Sequence, residues 1–359
     1  MSFFMELCES LAEHGVKVTV FGPPAADPKL MFSNSDIDVV IPKTKPGRWS
    51  RLFEPLYILL NLRRRLKEND SSIVMGLSQI GLLIAWVALT GRRERLVYLN
   101  DELWFRDDAE YRLYPLRKCL ERTASKRACL VVTQDAMRGR LLRKINDLPT
   151  ELFIYMPNSR RGNACRRRAH MLHDQLGCPA DTRIILWLGG VSEGDGALEV
   201  AIEAENWPQE YLFVTCFRSK SGSIYKQTLA AFDGKGRNRH IASGFSPADL
   251  EDAYASAFAG IVFYPKRSLN SEYIGASSGK LNLFLKAGVP CIVSPQRGLR
   301  WAVREAGCAT LPDGGSIFST IEIIASGYEH RSQCSIDAFN RRLAIDNALY
   351  SLRVALNLD

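Results

Sequence analysis

FYPKRSLNSEYIGASSGKLNLFLKAGVPCIVSP, residues 263–295, is the stretch on which the fold turns. Ile261–Phe263 closes a short apolar strand, and Ala276–Gly279 supplies the small residues that a close backbone approach needs. Lys280 opens a helical pattern, and Val289–Val293 reads as a second buried strand. Strand, loop, helix and strand in this order bring backbone N–H groups to a helix start. Those donors, the positive end of the helix dipole and a lysine make an anion site. A phosphate or diphosphate suits it; a solvated lysine in a first helical turn is the plainer reading of Lys280.

The same alternation extends both ways. Upstream come a helix at 4–15, strands Val16–Phe21 and Asp36–Ile41, and the helix Arg48–Lys67. Strands Ser72–Met75, Leu96–Leu99, Cys129–Thr133 and Leu152–Tyr155 follow, with helices Ile80–Leu89, Leu116–Ser125 and one from Asp135 between them. Pro157-Asn158-Ser159 punctuates the chain, and the pattern restarts with strands Ile184–Leu188, Tyr211–Thr215 and His240–Ala242. Strands alternating with helices at this spacing imply parallel sheets covered on both faces. The expected architecture is α/β, with two Rossmann-like domains facing across a cleft: residues 1–160, residues 161–334, and a C-terminal helix at 335–359 packing back on the first.

Bulk numbers bound the class. A chain of 359 residues with 46% apolar and 24% charged residues fits a soluble two-domain protein. Nine cysteines without a CxxC pair point to reduced thiols and a cytoplasmic setting. The apolar run Ile73–Gly91 is interrupted by Ser78, Gln79 and glycines and reads as strand plus helix, not a membrane span. Net charge is +8, and residues 1–160 hold 25 Lys and Arg against 19 Asp and Glu. An acidic partner for that half is therefore expected, with an anionic membrane surface, a lipid-diphosphate acceptor and nucleic acid as candidates. Arg63, Arg64, Arg65 and Lys67 end a helix bearing Trp49, Phe53 and Tyr57, which suits either a bilayer surface or a core-packed helix with a solvated end. Arg160, Arg161 and Arg166–Arg168 lack the interleaved aromatics of a nucleic-acid site. Cys165, His170, His173 and Cys178 do not have zinc-ligand spacing, and their segment reads as a basic helix; no metal is expected.

Several segments together resemble a family. In order they are LAEHGVKVTVFG (11–22), RLVYLNDELWF (95–105), ACLVVTQDAMRGRLL (128–142), IYMPNS (154–159), RIILWLGGVSEGDGALEVAIEA (183–204), HIASGFSPADLEDAYASAFAGIVFYP (240–265), the opening stretch, and Gly307-Cys308-Ala309. The chain is similar to retaining GT-B glycosyltransferases of the glycosyltransferase-4 type. The resemblance implies a nucleotide-sugar donor as substrate, no cofactor, a glycan or lipid-linked acceptor, and a role in surface polysaccharide biosynthesis. It assigns donor binding to Gly189, Gly190, Ser277, Ser278, Gly279 and Lys280. Glu272 falls where a glutamate meets the sugar, and Asn100 or Asp101 where a histidine lies near the acceptor; Asp101 is then the candidate base, with Glu102 and Asp107 competing.

The chain departs from the family at four places. Gly190 and Asp195 replace two basic residues, and Leu283 replaces a ribose-binding glutamate. A first strand and its glycine turn would lie before Met1, so the N-terminal sheet is expected to lack a central strand unless the chain starts earlier. These departures favour a rival reading, a catalytically silent GT-B partner or scaffold subunit. An epimerase that parts sugar from diphosphate is a third.

Overall fold

The computed structural model describes residues 2–22, 32, 34–41, 50–68, 73–103, 114–190, 195–217, 226–227, 230, 238–241, 245–246, 249–265, 268–312 and 314–358. Pro23 and Pro24 of the first turn, Trp49 and Asp107 lie outside them. Two compact units result, Met1–Arg161 with Ile345–Asp359, and Gly162–Ala344.

Unit 1 runs α1 (Ser2–Glu13), β1 (Thr19–Phe21), β2 (Asp38–Val40), α2 (Ser50–Glu68), β3 (Ile73–Leu77), α3 (Ser78–Ala88), β4 (Arg95–Asn100), α4 (Tyr114–Ser125), β5 (Leu130–Thr133), α5 (Ala136–Asn146) and β6 (Phe153–Tyr155). All its pairings are parallel. Among the described residues they form two sheets, β1-β2 and β3-β4-β5-β6. β4, paired on both sides, is buried at five of its six residues, whereas β3 alternates between buried and half-buried. In the four-stranded sheet, Leu96, Tyr98 and Val131 face one core, and Val97, Leu99, Leu130 and Val132 the other. This is the period-two division of a sheet covered on both faces.

Unit 2 runs α6 (Met171–Leu176), β7 (Arg183–Gly189), α7 (Ala197–Ala204), β8 (Tyr211–Phe217), β9 (Asn238–His240), α8 (Leu250–Ala255), β10 (Ala259–Val262), α9 (Leu269–Glu272), α10 (Gly279–Lys286), β11 (Cys291–Val293), α11 (Arg300–Glu305), β12 (Ala309–Thr310), α12 (Ile317–Ala325) and α13 (Tyr328–Arg342). Its six-stranded sheet has the order β12-β11-β10-β7-β8-β9, parallel throughout. The first strand of the unit, β7, therefore lies beside the fourth, β10, and successive strands are added outward on either side. Ligands in open α/β sheets bind outside the carboxyl ends of strands at such a reversal.

The chain returns to unit 1 with α14 (Asp346–Ala355). The expected return at residue 335 comes instead at Ile345, because α13 buries Ala338 and Phe339 in the core of unit 2. Ile345, Leu349, Leu352 and Leu356 then join Phe3, Leu7 and Leu11 in unit 1. The arginines flanking the first crossover are paired. Arg160 and Arg161 each reach Glu6 at 2.9 Å, Arg166 pairs with Glu329, and Arg167 with Asp252 at 2.8 Å. Residues 163–170, expected to be helical, are irregular, and His173 Nε2 lies 3.0 Å from the carbonyl of Thr182. No cluster of potential metal ligands occurs among the described residues. The apolar run 73–91 resolves into β3 and α3, and no described helix is long and apolar enough to cross a membrane.

One glycine seats the helix that matters most. A Cβ on Gly260 of β10 would come within 2.6 Å of the Phe284 ring of α10. That ring is fully buried and meets Tyr254 edge-on at 4.5 Å. Overpacking a filled core costs roughly 1–3 kcal/mol. Gly260→Ala is expected to lower the denaturant midpoint of unit 2 accordingly, while Gly15→Ala, whose Cβ meets nothing within 4 Å in unit 1, leaves the unit 2 transition in place.

Candidate functional site

The candidate donor site lies at the carboxyl ends of β7 and β10. β7 ends at Gly189, which has φ +134°, and a Cβ on either Gly189 or Gly190 would meet nothing within 4 Å. Among the described residues, nothing therefore crowds the two glycines at this strand exit. Across from it, Ser278 caps α10: its Oγ accepts the N–H of Leu281 at 3.2 Å and lies 2.7 Å from Tyr264 Oη. The helix starts one residue before Lys280.

Ser277 and Ser278 were expected to offer free amides. Both amides are spent inside the loop, donated to the carbonyls of Ile274 (2.9 Å) and Gly275 (3.1 Å), and the Ser277 hydroxyl also bonds to Ile274. A 3-10 turn over Gly275–Ser277 is the cause. Of the four amides from Ser277 to Lys280, those of Gly279 and Lys280, the first two of α10, are left without an acceptor among the described residues. The amides still available to a ligand therefore lie one to two residues later than the sequence suggested.

Lys280 springs from a helix packed on one core of unit 2, and its ammonium lies between Tyr264 of that core and Trp187 of the other. Nζ lies 4.4 Å from the Tyr264 ring centroid, 5.2 Å from that of Trp187, and donates to the Phe263 carbonyl at 3.0 Å. Burial lowers its pKa to about 8, against the opposing influence of the Asp195 carboxylate. An ammonium has three donors, and one is used here. Asp195, which looked repulsive to a diphosphate, is buried; its Oδ1 accepts the Ala197 N–H at 3.0 Å and its charge helps keep Lys280 protonated.

Glu272 ends α9 and accepts the Arg297 N–H at 3.3 Å, with the Arg297 guanidinium at the same distance. A 3-10 turn over Arg297–Leu299 holds that arginine in place. A Cβ on Gly298 would lie 2.7 Å from the backbone nitrogens of both Ile274 and Gly275. The turn and the donor loop therefore touch backbone to backbone. Leu283 packs its half-buried side chain against the core of unit 2. Trp187, Tyr264 and Arg297 escaped the sequence reading; aromatics closing two strands at a reversal were the available signal.

In unit 1, Asp101 follows β4. Its Oδ1 accepts the Glu102 N–H at 3.0 Å, and its carbonyl accepts from Arg138 of α5 at 3.0 Å. Asn100, the other residue aligned with the family histidine, donates to Tyr98 Oη (2.8 Å) and to the Glu102 carbonyl (3.0 Å). Tyr98 in turn donates to the fully buried Glu121, which also receives Gln79 (2.9 Å) and Lys118 (3.0 Å). Both Asn100 N–H donors are thus occupied in fixing the strand exit, which leaves Asp101 as the titratable group. Burial raises its pKa to about 6.

A raised carboxyl pKa means the folded state holds a proton that the unfolded chain has already released. Asp101 thus costs nothing below its unfolded pKa, and its penalty grows through the window from about 4 to 6. Asp101→Asn is expected to stabilise unit 1 at pH 7.5 by about 1–3 kcal/mol, with the gain vanishing as the pH falls toward 4. Urea midpoints across that range check it.

Comparison with known proteins places this geometry. The family described as "Glycosyl transferase 4-like domain" matches residues 2–158, nearly the whole of the first segment of unit 1. No curated protein matches the chain in sequence. Solved structures do match in fold. The sucrose-phosphate synthase of Thermosynechococcus elongatus superposes with a TM-score of 0.76 at 14% identity, over 99% of this chain and 92% of that one. Anabaena Alr3699/HepE in complex with UDP and glucose gives 0.68 at 13%, over 98% and 95%. WaaG, a glycosyltransferase involved in lipopolysaccharide biosynthesis, gives 0.65 at 13%, over 98% and 95%. Residues 2–158 match a glycosyl transferase 4-like domain, and the chain shares the GT-B fold of these structures.

Proposed function

We propose that the protein moves a sugar from a nucleoside-diphosphate sugar to a glycan or lipid-linked acceptor. The observation that carries this is the convergence of donors at the sheet reversal of unit 2. A buried ammonium with two unused N–H groups and the free amides of Gly279 and Lys280 meet beside the open exit of β7. Such donors stabilise the charge that a departing diphosphate develops. UDP is the first candidate, since HepE is a fold relative captured with UDP and glucose. Glu272, braced by Arg297, is proposed to meet the sugar, and Asp101 to act as the acceptor-side base. Retention of configuration and transfer without a metal ion are part of this reading, as the family resemblance implies.

The silent-partner reading has a specific observation of its own. Leu283 lies in the core, so the second family glutamate has no replacement at that position. Calorimetry with UDP, GDP and ADP, followed by turnover with the matching sugar, separates the two. Lys280→Ala is expected to weaken the preferred diphosphate about 10- to 100-fold, the range of one or two hydrogen bonds to a charged group. Affinity should be level below pH 8 and fall by up to about tenfold per unit above it, because the free site loses its ammonium there. Binding without turnover favours the silent partner; no binding by folded protein overturns the transferase reading and leaves the silent partner standing.

We further place the protein in surface polysaccharide synthesis, cytoplasmic and in peripheral contact with an anionic membrane. Leu56 and Leu60 of α2 are 50% and 58% exposed. Arg63, Arg64 and Lys67 continue the same helical face at i+7, i+8 and i+11 from Leu56. Flotation with phosphatidylglycerol vesicles is expected to carry the wild type and to lose the Leu60→Ser, Arg64→Glu double variant. Equal flotation of both counts against the contact.

A further inference from the structure

We infer that Tyr264 is the positioning residue for Lys280, its ring face holding the ammonium in place while its hydroxyl and backbone lock that ring to the cap of α10 and to the exit of β11. The inference deepens the donor-site reading and rests on it only for the ligand. Tyr264 lies two residues beyond the end of β10, and its three polar groups are engaged by two segments, one after β11 and one before α10. Its N–H donates to Ser294 Oγ at 3.0 Å, its carbonyl accepts Gln296 Nε2 at 2.6 Å, and its hydroxyl meets Ser278 Oγ at 2.7 Å. Ser294 and Gln296 follow β11, and Ser278 precedes α10, so the ring is fixed from two sides. A half-buried aromatic with only its edges packed could turn; this one is fastened at both ends of its side chain.

The fixed face is what Lys280 needs. Of the two rings near the ammonium, Tyr264 is the closer, at 4.4 Å against 5.2 Å for Trp187. A ring face attracts a cation through its quadrupole, and the attraction grows when water is excluded. It favours the charged form of the lysine and opposes the desolvation that lowers its pKa. The titratable groups acting on Lys280 are Asp195, ahead of α7, and the Cys291 thiol of β11, itself coupled to Cys308. Neither is altered by a change at Tyr264, so a shift in the lysine's titration reports the ring.

The test reads the lysine directly. Protein labelled at lysine Cε with carbon-13 is titrated by NMR, and the Lys280 signal is assigned by its loss in Lys280→Arg. The midpoint is expected near 8 in the wild type and in Tyr264→Phe, which keeps the ring. In Tyr264→Leu it should fall by about half a unit to one unit, the equivalent of one partly desolvated cation–π contact. Tyr264→Met serves the same measurement should the leucine variant not fold. An unmoved midpoint in a folded variant overturns the inference whatever the ligand. UDP affinity is then measured from pH 6.5 to 9.5, above the second phosphate ionisation near pH 6. If it follows the lysine midpoint in every variant, Lys280 acts on the diphosphate. A midpoint that moves while UDP affinity does not leaves Tyr264 in its role and overturns the donor-site reading instead.

Discussion

Removing an ammonium from water is costly unless its charge is compensated, and the binding end of unit 2 is organised around that constraint at Lys280. The Phe263 carbonyl, two aromatic faces and the Asp195 carboxylate all converge on it. They come from β7, β10 and the start of α7, three segments that meet only where the strand order reverses. The same crossing explains why Gly189 and Gly190 stand bare and why Gly260 must lie beneath Phe284. α10 has to sit low on the sheet for its second residue to reach across the strand ends.

Much of this was legible in the sequence because it is local. The alternation of short apolar runs with amphipathic stretches located the strands, and the small residues before Lys280 located the loop. Local pattern could not foretell which amides the loop would use itself. A 3-10 turn over Gly275–Ser277 closes its own hydrogen bonds, and only the following pair of N–H groups is spared. Nor could it show that Asp195, which looked repulsive to a diphosphate, folds into the neighbourhood of Lys280 and favours its charge. Trp187 and Tyr264 read as ordinary strand aromatics until β7 and β10 were seen to be neighbours. The boundary at residue 335 failed for a similar reason: α13 is amphipathic toward either unit in sequence, and the burial of Phe339 decides where it belongs.

Unit 1 handles its polar groups differently. There a buried glutamate collects Tyr98, Gln79 and Lys118, and Tyr98 passes the network on to Asn100. Hydrogen bonds of this kind, made away from water, hold the strand exit beside them. Asp101, one residue further, is held by its neighbour's amide and stays titratable near neutrality.

The backbone contact between Gly298 and the loop at Ile274 and Gly275 has a consequence for evolution. Two segments that touch through main chain, with no side chain between them, cannot be moved apart by exchanging one residue for a smaller one. Glu272 and Arg297 therefore travel as a unit, and the room beside them is set by side chains projecting from a frame of constant shape. A lineage that changed its donor would have altered the decorations on this frame and left its curvature alone.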